Sequence, residues 1–477
     1  MFKVKENSVV SFAEIFSRLP LVFTIGYLAE IIGPNAFGNW GLILVIHSIV
    51  SYISNIGAGD SISRLLPSSK KENAHVLFYS SFSKSILLIV IFFFMQLFFG
   101  QQIADLINIG HEYSDLIPFS VLLSLGVISD TYLDKYLKAR RLVWHFVFFS
   151  FSRSFAEILA IFILFLYFSV SNPNEIIKVY VASIFITKLI SYSIILLTIR
   201  VDVSKFKIEK SEKRNFVSYG LLMMPSIGLV IVTQNLDRLL LSNFSSTYDL
   251  GVYTFYGVLA SYLVLVSYIS LPLFQSSASQ YFDSGNNFKL HSLFNLQQTI
   301  FLNLSFVILF LVIVFSEFLI TFIAGENYAK HYQFFVIFAI AGLIEQYFSI
   351  YQFGILLKKR VDLVTTINTI RMILAIFLFY FMSKFFSFAG AVWSLVILSS
   401  ITAVMKYKIC KRVSKISFSI NTVRQIFLSI ILLFLTYLVS NELHDFQKFV
   451  LLFLILVVGI NIGFKNFNYC LSNYHNS

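Results

Sequence analysis

Residues 219–262 read YGLLMMPSIGLVIVTQNLDRLLLSNFSSTYDLGVYTFYGVLASY. The part up to Leu241 is an apolar run long enough to cross a bilayer, which takes a helix about 20 residues. Pro225 lies inside it, and the acid–base pair Asp237–Arg238 lies near its far end. A short polar turn follows, and a second apolar helix opens at Gly251-Val252-Tyr253. The stretch is therefore two membrane helices joined by a tight turn.

The rest of the chain repeats that pattern. Its 477 residues are 57% hydrophobic and 13% charged, with a mean hydropathy of +0.80. A soluble domain is about 25% charged, so this chain has too little polar surface to stay in water. It is expected to be an all-α, polytopic membrane protein. About fourteen spans are predicted, at 9–32, 39–59, 76–100, 115–134, 144–168, 175–199, 215–242, 250–275, 296–324, 332–357, 361–383, 386–409, 420–440 and 446–464. The first span is too long for a signal-peptide core and is read as a retained helix.

The loop charges test this count. Counting Lys406, Lys408 and Lys448, which fall at span ends, with the loops they adjoin, one set of alternating loops carries 25 Lys and Arg, and the other carries only Lys330, Lys384 and Lys448. Cytoplasmic loops collect positive charge, so both termini are predicted to be cytoplasmic. The same bias accounts for the net charge of +12 without nucleic acid as a partner. Cys410 and Cys470 have no metal-ligand spacing, and no disulfide is expected.

The basic stretch at 200–214 divides two similar halves. Pro20 with Gly38-Asn39-Trp40 matches Pro225 with Gly251-Val252-Tyr253, and the basic turn before Arg153 matches the one before Arg371. Both halves begin on the same side, so they read as parallel six-helix repeats around a central cavity, a transporter architecture. The expected organisation is an N-lobe at 1–199, a cytoplasmic interlobe linker at 200–214, a C-lobe at 215–412, and two extra helices with a tail at 413–477.

The stretches GPNAFGNWGL (33–42) and DRLLLSNFSSTYDLGVY (237–253), with the fourteen-span layout, resemble Wzx-type O-antigen and polysaccharide flippases. These form the polysaccharide transporter family of the multidrug/oligosaccharidyl-lipid/polysaccharide exporter superfamily. The resemblance implies flipping of an undecaprenyl-pyrophosphate-linked oligosaccharide across the bacterial inner membrane by alternating access. The cargo would be an O-antigen or capsule repeat unit, and an O-antigen polymerase and a chain-length regulator would be partners beside membrane lipids. Asp237, Arg238, Gly251 and Tyr253 are its signature positions.

Ionisable side chains inside spans are costly and face a cavity or a partner. Arg18, Arg153, Lys188, Glu345 and Arg371 fall near mid-span, while Lys84, Asp130, Asp237, Arg238 and Glu317 lie off-centre. Arginine suits pyrophosphate because its planar fork bonds two oxygens at once. Arg18, Arg153, Lys188 and Arg371 are therefore candidate substrate-binding cations. Ion pairing is the competing reading, since Glu14–Arg18 and Arg153–Glu157 are both i,i+4. Arg371 and Lys188 have no such local carboxylate, although Glu345 is available to neutralise either. Pro20 and Pro225 are expected to kink the first helix of each lobe.

No cofactor is expected. With no Walker A sequence, coupling to H⁺ or Na⁺ would fall to Glu14, Glu157 or Glu345. An enzyme is disfavoured because no loop carries a convincing acid pair. A lipid II flippase shares the same charge logic. A cation-coupled drug antiporter calls for a carboxylate-dominated cavity instead.

Overall fold

The computed structural model describes residues 9–10, 12–14, 16–66, 71–166, 172–199, 210–264, 271–416, 420–442 and 445–475. The helices, numbered in chain order, are α1 (Leu19–Asn55), α2 (Ala58–Leu65), α3 (Lys71–Leu106), α4 (Ile117–Ala139), α5 (Val143–Leu166), α6 (Pro173–Ile199), α7 (Lys210–Leu241) and α8 (Thr247–Val264). They continue as α9 (Leu271–Asp283), α10 (Asn287–Ala324), α11 (Glu326–Ala329), α12 (Tyr332–Leu357), α13 (Val361–Ser414), α14 (Ile420–Glu442) and α15 (Asp445–His475). No strand occurs among the described residues.

Two of these helices each join two expected spans. At 1.5 Å per residue, α1 and α13 would be roughly 55 and 80 Å long, against a hydrocarbon core of about 30 Å. Each is interrupted once, at Gly33 (φ 75°, ψ 166°) and at Ser387 (φ 48°, ψ −128°). Glycine reaches the first conformation without a Cβ penalty. Pro34 follows it at the start of a new helix, where a missing N–H costs nothing. The loops expected at 33–38 and 384–385 thus shrink to single-residue breaks. Eleven helices among the described residues are long and apolar enough to cross a membrane. Counting the two broken ones twice and adding α8 reproduces the order of spans expected from the sequence. The expected eighth span runs through 265–270, which lie outside the described residues. So do 200–209, most of the expected linker.

The two expected kinks differ. Pro20 lies in the first turn of α1, just after a break in helix at Ser17–Arg18. Its ring leaves the Phe16 carbonyl without a helical donor, and Ser154 Oγ lies 3.5 Å from that oxygen. Pro225, in contrast, sits inside α7, which runs from Lys210 to Leu241 as one helix.

The chain forms two compact units. Met1–Phe255 with Ala375–Phe388 is one, and Tyr256–Leu374 with Ala389–Ser477 is the other. The first is centred on aromatic side chains: Phe78 packs on Tyr136 with ring centroids 4.6 Å apart, and the buried Tyr132 hydroxyl bonds Ser85 Oγ at 2.8 Å. The second is built alike around Phe274, Phe294, Phe301, Tyr347 and Tyr351. Large apolar residues such as Phe94, Phe98, Phe162 and Phe165 are exposed, as suits a surface whose solvent is lipid.

The two C-terminal helices attach to α10 through amides and small residues. Gln425 donates to Asn303 Oδ1, Asn466 donates to Gln425 Oε1, and Asn303 Nδ2 donates to the Gly463 carbonyl at 3.1 Å. Between lipid-exposed helices there is little hydrophobic drive, so close approach and side-chain hydrogen bonds supply the contact. Cys410 and Cys470 are free and buried.

Candidate functional site

Among the described residues, each compact unit holds a cluster of three or more ionised side chains. In the first, Asp130, Asp134 and Lys138 recur at i,i+4 spacing along one face of α4. Lys138 Nζ reaches Asp134 Oδ1 at 3.0 Å and Glu14 Oε2 at 3.1 Å, and Arg18 Nη2 lies 3.4 Å from Glu14 Oε1. Two turns along α4, Asp130 takes Lys188 Nζ at 2.9 Å and Arg153 Nε at 3.8 Å, and accepts the Tyr192 hydroxyl. Three of the four expected binding cations, Arg18, Arg153 and Lys188, therefore meet carboxylates in one connected region.

Arg153 faces Asp130, with the Phe149 ring 5.6 Å away, and among the described residues it makes no ion pair with Glu157. The i,i+4 pairing allowed by sequence loses to Asp130 on the neighbouring helix. Glu157 is buried, and its Oε2 has no hydrogen-bond partner. With every group ionised, Arg18, Lys138, Arg153 and Lys188 balance Glu14, Asp130, Asp134 and Glu157.

The second unit is not balanced. Arg371 and Lys406 stand on opposite sides of the Ser387 break in α13, and the reversal there brings both to Glu345 on α12. Arg371 Nη1 and Lys406 Nζ approach the same oxygen, Glu345 Oε1, at 2.7 and 2.6 Å. Lys406 is only 3% exposed, Glu345 Oε2 is left without a partner, and so is Arg371 Nε. Two cations share one carboxylate. Glu345 thus serves Arg371, one of the two partners open to it by sequence, while Lys188 is satisfied by Asp130.

Lys406, Lys138 and Asp134 were not singled out in the sequence. Lys138 and Lys406 read as loop charges, but both stand on helices that run past the expected span ends. A signal was present in each case. Asp130, Asp134 and Lys138 keep a four-residue period, and Ala403, Lys406 and Cys410 continue the buried face of α13, while Lys408 is exposed.

The two signature stretches meet within the first unit. Asp237 Oδ2 accepts the Tyr253 hydroxyl at 2.8 Å, and Oδ1 accepts the Arg238 backbone N–H at 2.8 Å. Both side chains of that hydroxyl–carboxylate bond are buried. The adjacent helix ends cross at glycines: a Cβ on Gly251 would overlap the Pro34 carbonyl, and one on Gly38 would overlap the Thr247 carbonyl. Neutral hydrogen bonds surround the crossing. Asn39 Oδ1 accepts the Gly110 N–H at 2.9 Å, Asn108 Nδ2 donates to Asn243 Oδ1 at 2.8 Å, and Thr247 Oγ1 donates to Asn35 Oδ1 at 3.1 Å.

Residues 4–278 match the family model described as "Polysaccharide biosynthesis protein". The chain belongs to this family. No curated protein is significantly similar to it in sequence. Among solved structures, "Lipid II flippase MurJ, inward closed conformation" is 16% identical, with a TM-score of 0.69 over 98% of each chain. An inward-facing multidrug resistance MATE family transporter of the MOP superfamily is 12% identical, with a TM-score of 0.65 over 86% of this chain and 98% of that one. The Vibrio cholerae MATE transporter VcmN in the bent form is 11% identical, with a TM-score of 0.57 over 86% and 98%. This polysaccharide biosynthesis protein is thus a multi-pass membrane protein with the fold shared by MurJ and MATE transporters.

Proposed function

We propose that this protein is a flippase. It moves an undecaprenyl-pyrophosphate-linked oligosaccharide, an O-antigen or capsule repeat unit, from the cytoplasmic to the outer leaflet of the bacterial inner membrane by alternating access. Both chain termini are cytoplasmic, and residues 1–199 and 215–412 are the two lobes. An outer-leaflet polymerase and its chain-length regulator would consume the product.

The observation that carries this reading is the Glu345–Arg371–Lys406 cluster. A site with two cations on one carboxylate keeps a positive excess and draws an anion. Arg371 spends one nitrogen on Glu345 and retains Nε for a further acceptor, which suits a pyrophosphate oxygen. A drug-cation antiporter calls for the opposite sign. The neutral cluster in the first unit suits a coupling role better than cargo binding. We assign the coupling ion, H⁺ or Na⁺, to Glu157, because its Oε2 is unpartnered while Glu14 and Glu345 each hold two cations.

The test is restoration of surface glycan in a bacterium lacking its own flippase and supplied with the cognate glycan pathway. Wild type is compared with Arg371→Ala, Lys406→Ala, Arg18→Ala and Arg153→Ala at matched membrane levels. Restoration by wild type and loss in the Arg371 and Lys406 variants is expected. No restoration by a membrane-inserted wild type rejects the reading. The likeness to MurJ over 98% of both chains keeps lipid II as a second cargo. Rescue of cells depleted of their lipid II flippase, without glycan restoration, would select it.

A further inference from the structure

A groove of about 730 Å³ lies in the first unit, away from both charge clusters. One wall is a single face of α3, formed by Phe93, Gln96, Leu97, Gly100 and Gln101 at i, i+3, i+4, i+7 and i+8. The facing wall is the start of α4 with the turn before it: Asp115, Pro118, Phe119 and Leu122. Lys178, from the start of α6, closes the polar end.

The lining changes character along its length. Toward the middle of the spans it is Phe93, Leu97 and Leu122. Toward the helix ends it is Gln101, Gln102, Ser114, Asp115 and Lys178. Leu97 and Phe98 on its rim are exposed, on a surface that faces lipid. A groove that is apolar on the membrane side and polar at the interface fits an amphiphile with its chain along α3.

The polar lining carries charges of both signs, Asp115 and Lys178. Gln96 is 1% exposed and lines the groove, and its Oε1 accepts the Ser120 hydroxyl at 3.3 Å. The Asp115 carboxylate makes no ion pair among the described residues. Lys178 Nζ is held by Glu175 Oε1 at 2.9 Å and lies 6.0 Å from the Phe119 ring centroid. Gly100 adds no side chain between the walls, and a Cβ there would meet only the Ser114 carbonyl, at an ordinary 3.8 Å.

We propose that this groove binds a zwitterionic phospholipid whose headgroup carries a primary ammonium. The ammonium sits on Asp115, where the carbonyl oxygens of Gln101 and Gln102 offer further acceptors. The phosphate lies toward Lys178 and the Gln96 amide. A quaternary ammonium has no N–H for these acceptors, and a net anionic headgroup brings no ammonium to Asp115 and would set its charge against that carboxylate.

Native mass spectrometry of the full-length protein, titrated with phosphatidylethanolamine, phosphatidylglycerol and phosphatidylcholine, tests this. Phosphatidylethanolamine should bind at least tenfold more tightly than the other two. Gly100→Leu, which fills the groove without touching a charge, should remove that binding. Asp115→Lys, at an exposed position that does not threaten folding, should reverse the preference toward phosphatidylglycerol. Equal binding of the three lipids by wild type, or an unchanged preference in Asp115→Lys, overturns the proposal. Because the readout is lipid binding, failure here leaves the flippase reading untouched, and failure of glycan restoration leaves this one untouched.

Discussion

The crossing at Gly251 supports a prediction whose size follows from the structure. In Gly251→Ala the new methyl group meets the Pro34 carbonyl, with the Gly38 nitrogen a further 3.1 Å neighbour. These are backbone atoms, so no side-chain rotation relieves the overlap and the two helix ends must separate. Alanine gains helix propensity over glycine, by about 1 kcal/mol at most. Overpacking of a tight contact costs about 1–3 kcal/mol, and here it prevails because the obstacle is main chain. That cost shifts the equilibrium between closed and opened crossing by about 5- to 150-fold. The reporter is the Gly110 N–H, which donates to Asn39 Oδ1 beside Gly38. Hydrogen–deuterium exchange of the peptide spanning 107–113, measured in nanodiscs, should accelerate by that factor in Gly251→Ala. The 243–247 peptide, which carries Asn243 and Thr247, should follow. Peptides from the second unit should not change. If exchange at Gly110 stays within twofold of wild type, the crossing is not the closed joint described here.

Tyr253→Phe removes the hydroxyl that Asp237 accepts and leaves a buried carboxylate short of a donor. It should cost about 1–3 kcal/mol, read as a lower midpoint of thermal unfolding in detergent, and an unchanged midpoint would show that the bond carries no stability. Glu345→Gln leaves Arg371 and Lys406 together without their carboxylate and should destabilise by roughly 3–5 kcal/mol. The double variant Glu345→Gln/Lys406→Gln should recover a large part of that loss, and strictly additive effects would contradict the shared-oxygen geometry. Glu157→Gln should preserve folding and cargo binding but abolish the response of flipping to an imposed H⁺ or Na⁺ gradient in proteoliposomes, and an intact response moves the coupling group elsewhere.

The fold was legible in the sequence because membrane spans obey a length rule. Apolar runs of about 20 residues and the alternation of loop charges require no knowledge of packing. The boundaries failed where they depended on a single dihedral angle. Gly33 followed by Pro34 turns one apparent loop into a break of one residue, and Ser387, whose Oγ lies 3.3 Å from the Phe244 carbonyl, does the same without glycine.

The candidate site was legible only in part, and the reason is electrostatic. Sequence spacing identifies charges that must be compensated within the membrane, but it can rank only partners on the same helix. Glu14–Arg18 was found that way and is present at 3.4 Å. Arg153 had an equally good local partner in Glu157 and takes Asp130 instead, because Asp130 on α4 also gathers Lys188 and Tyr192 into one network. Lys406 was indistinguishable from the loop lysines that follow it until the reversal in α13 brought it to the carboxylate that Arg371 already uses. By itself the sequence determined the solvent of the protein, the order of its spans and the residue types that had to be neutralised. The tertiary structure alone decided which carboxylate neutralises which cation, since a buried charge is compensated by whichever partner the packing of different helices brings within ion-pairing distance.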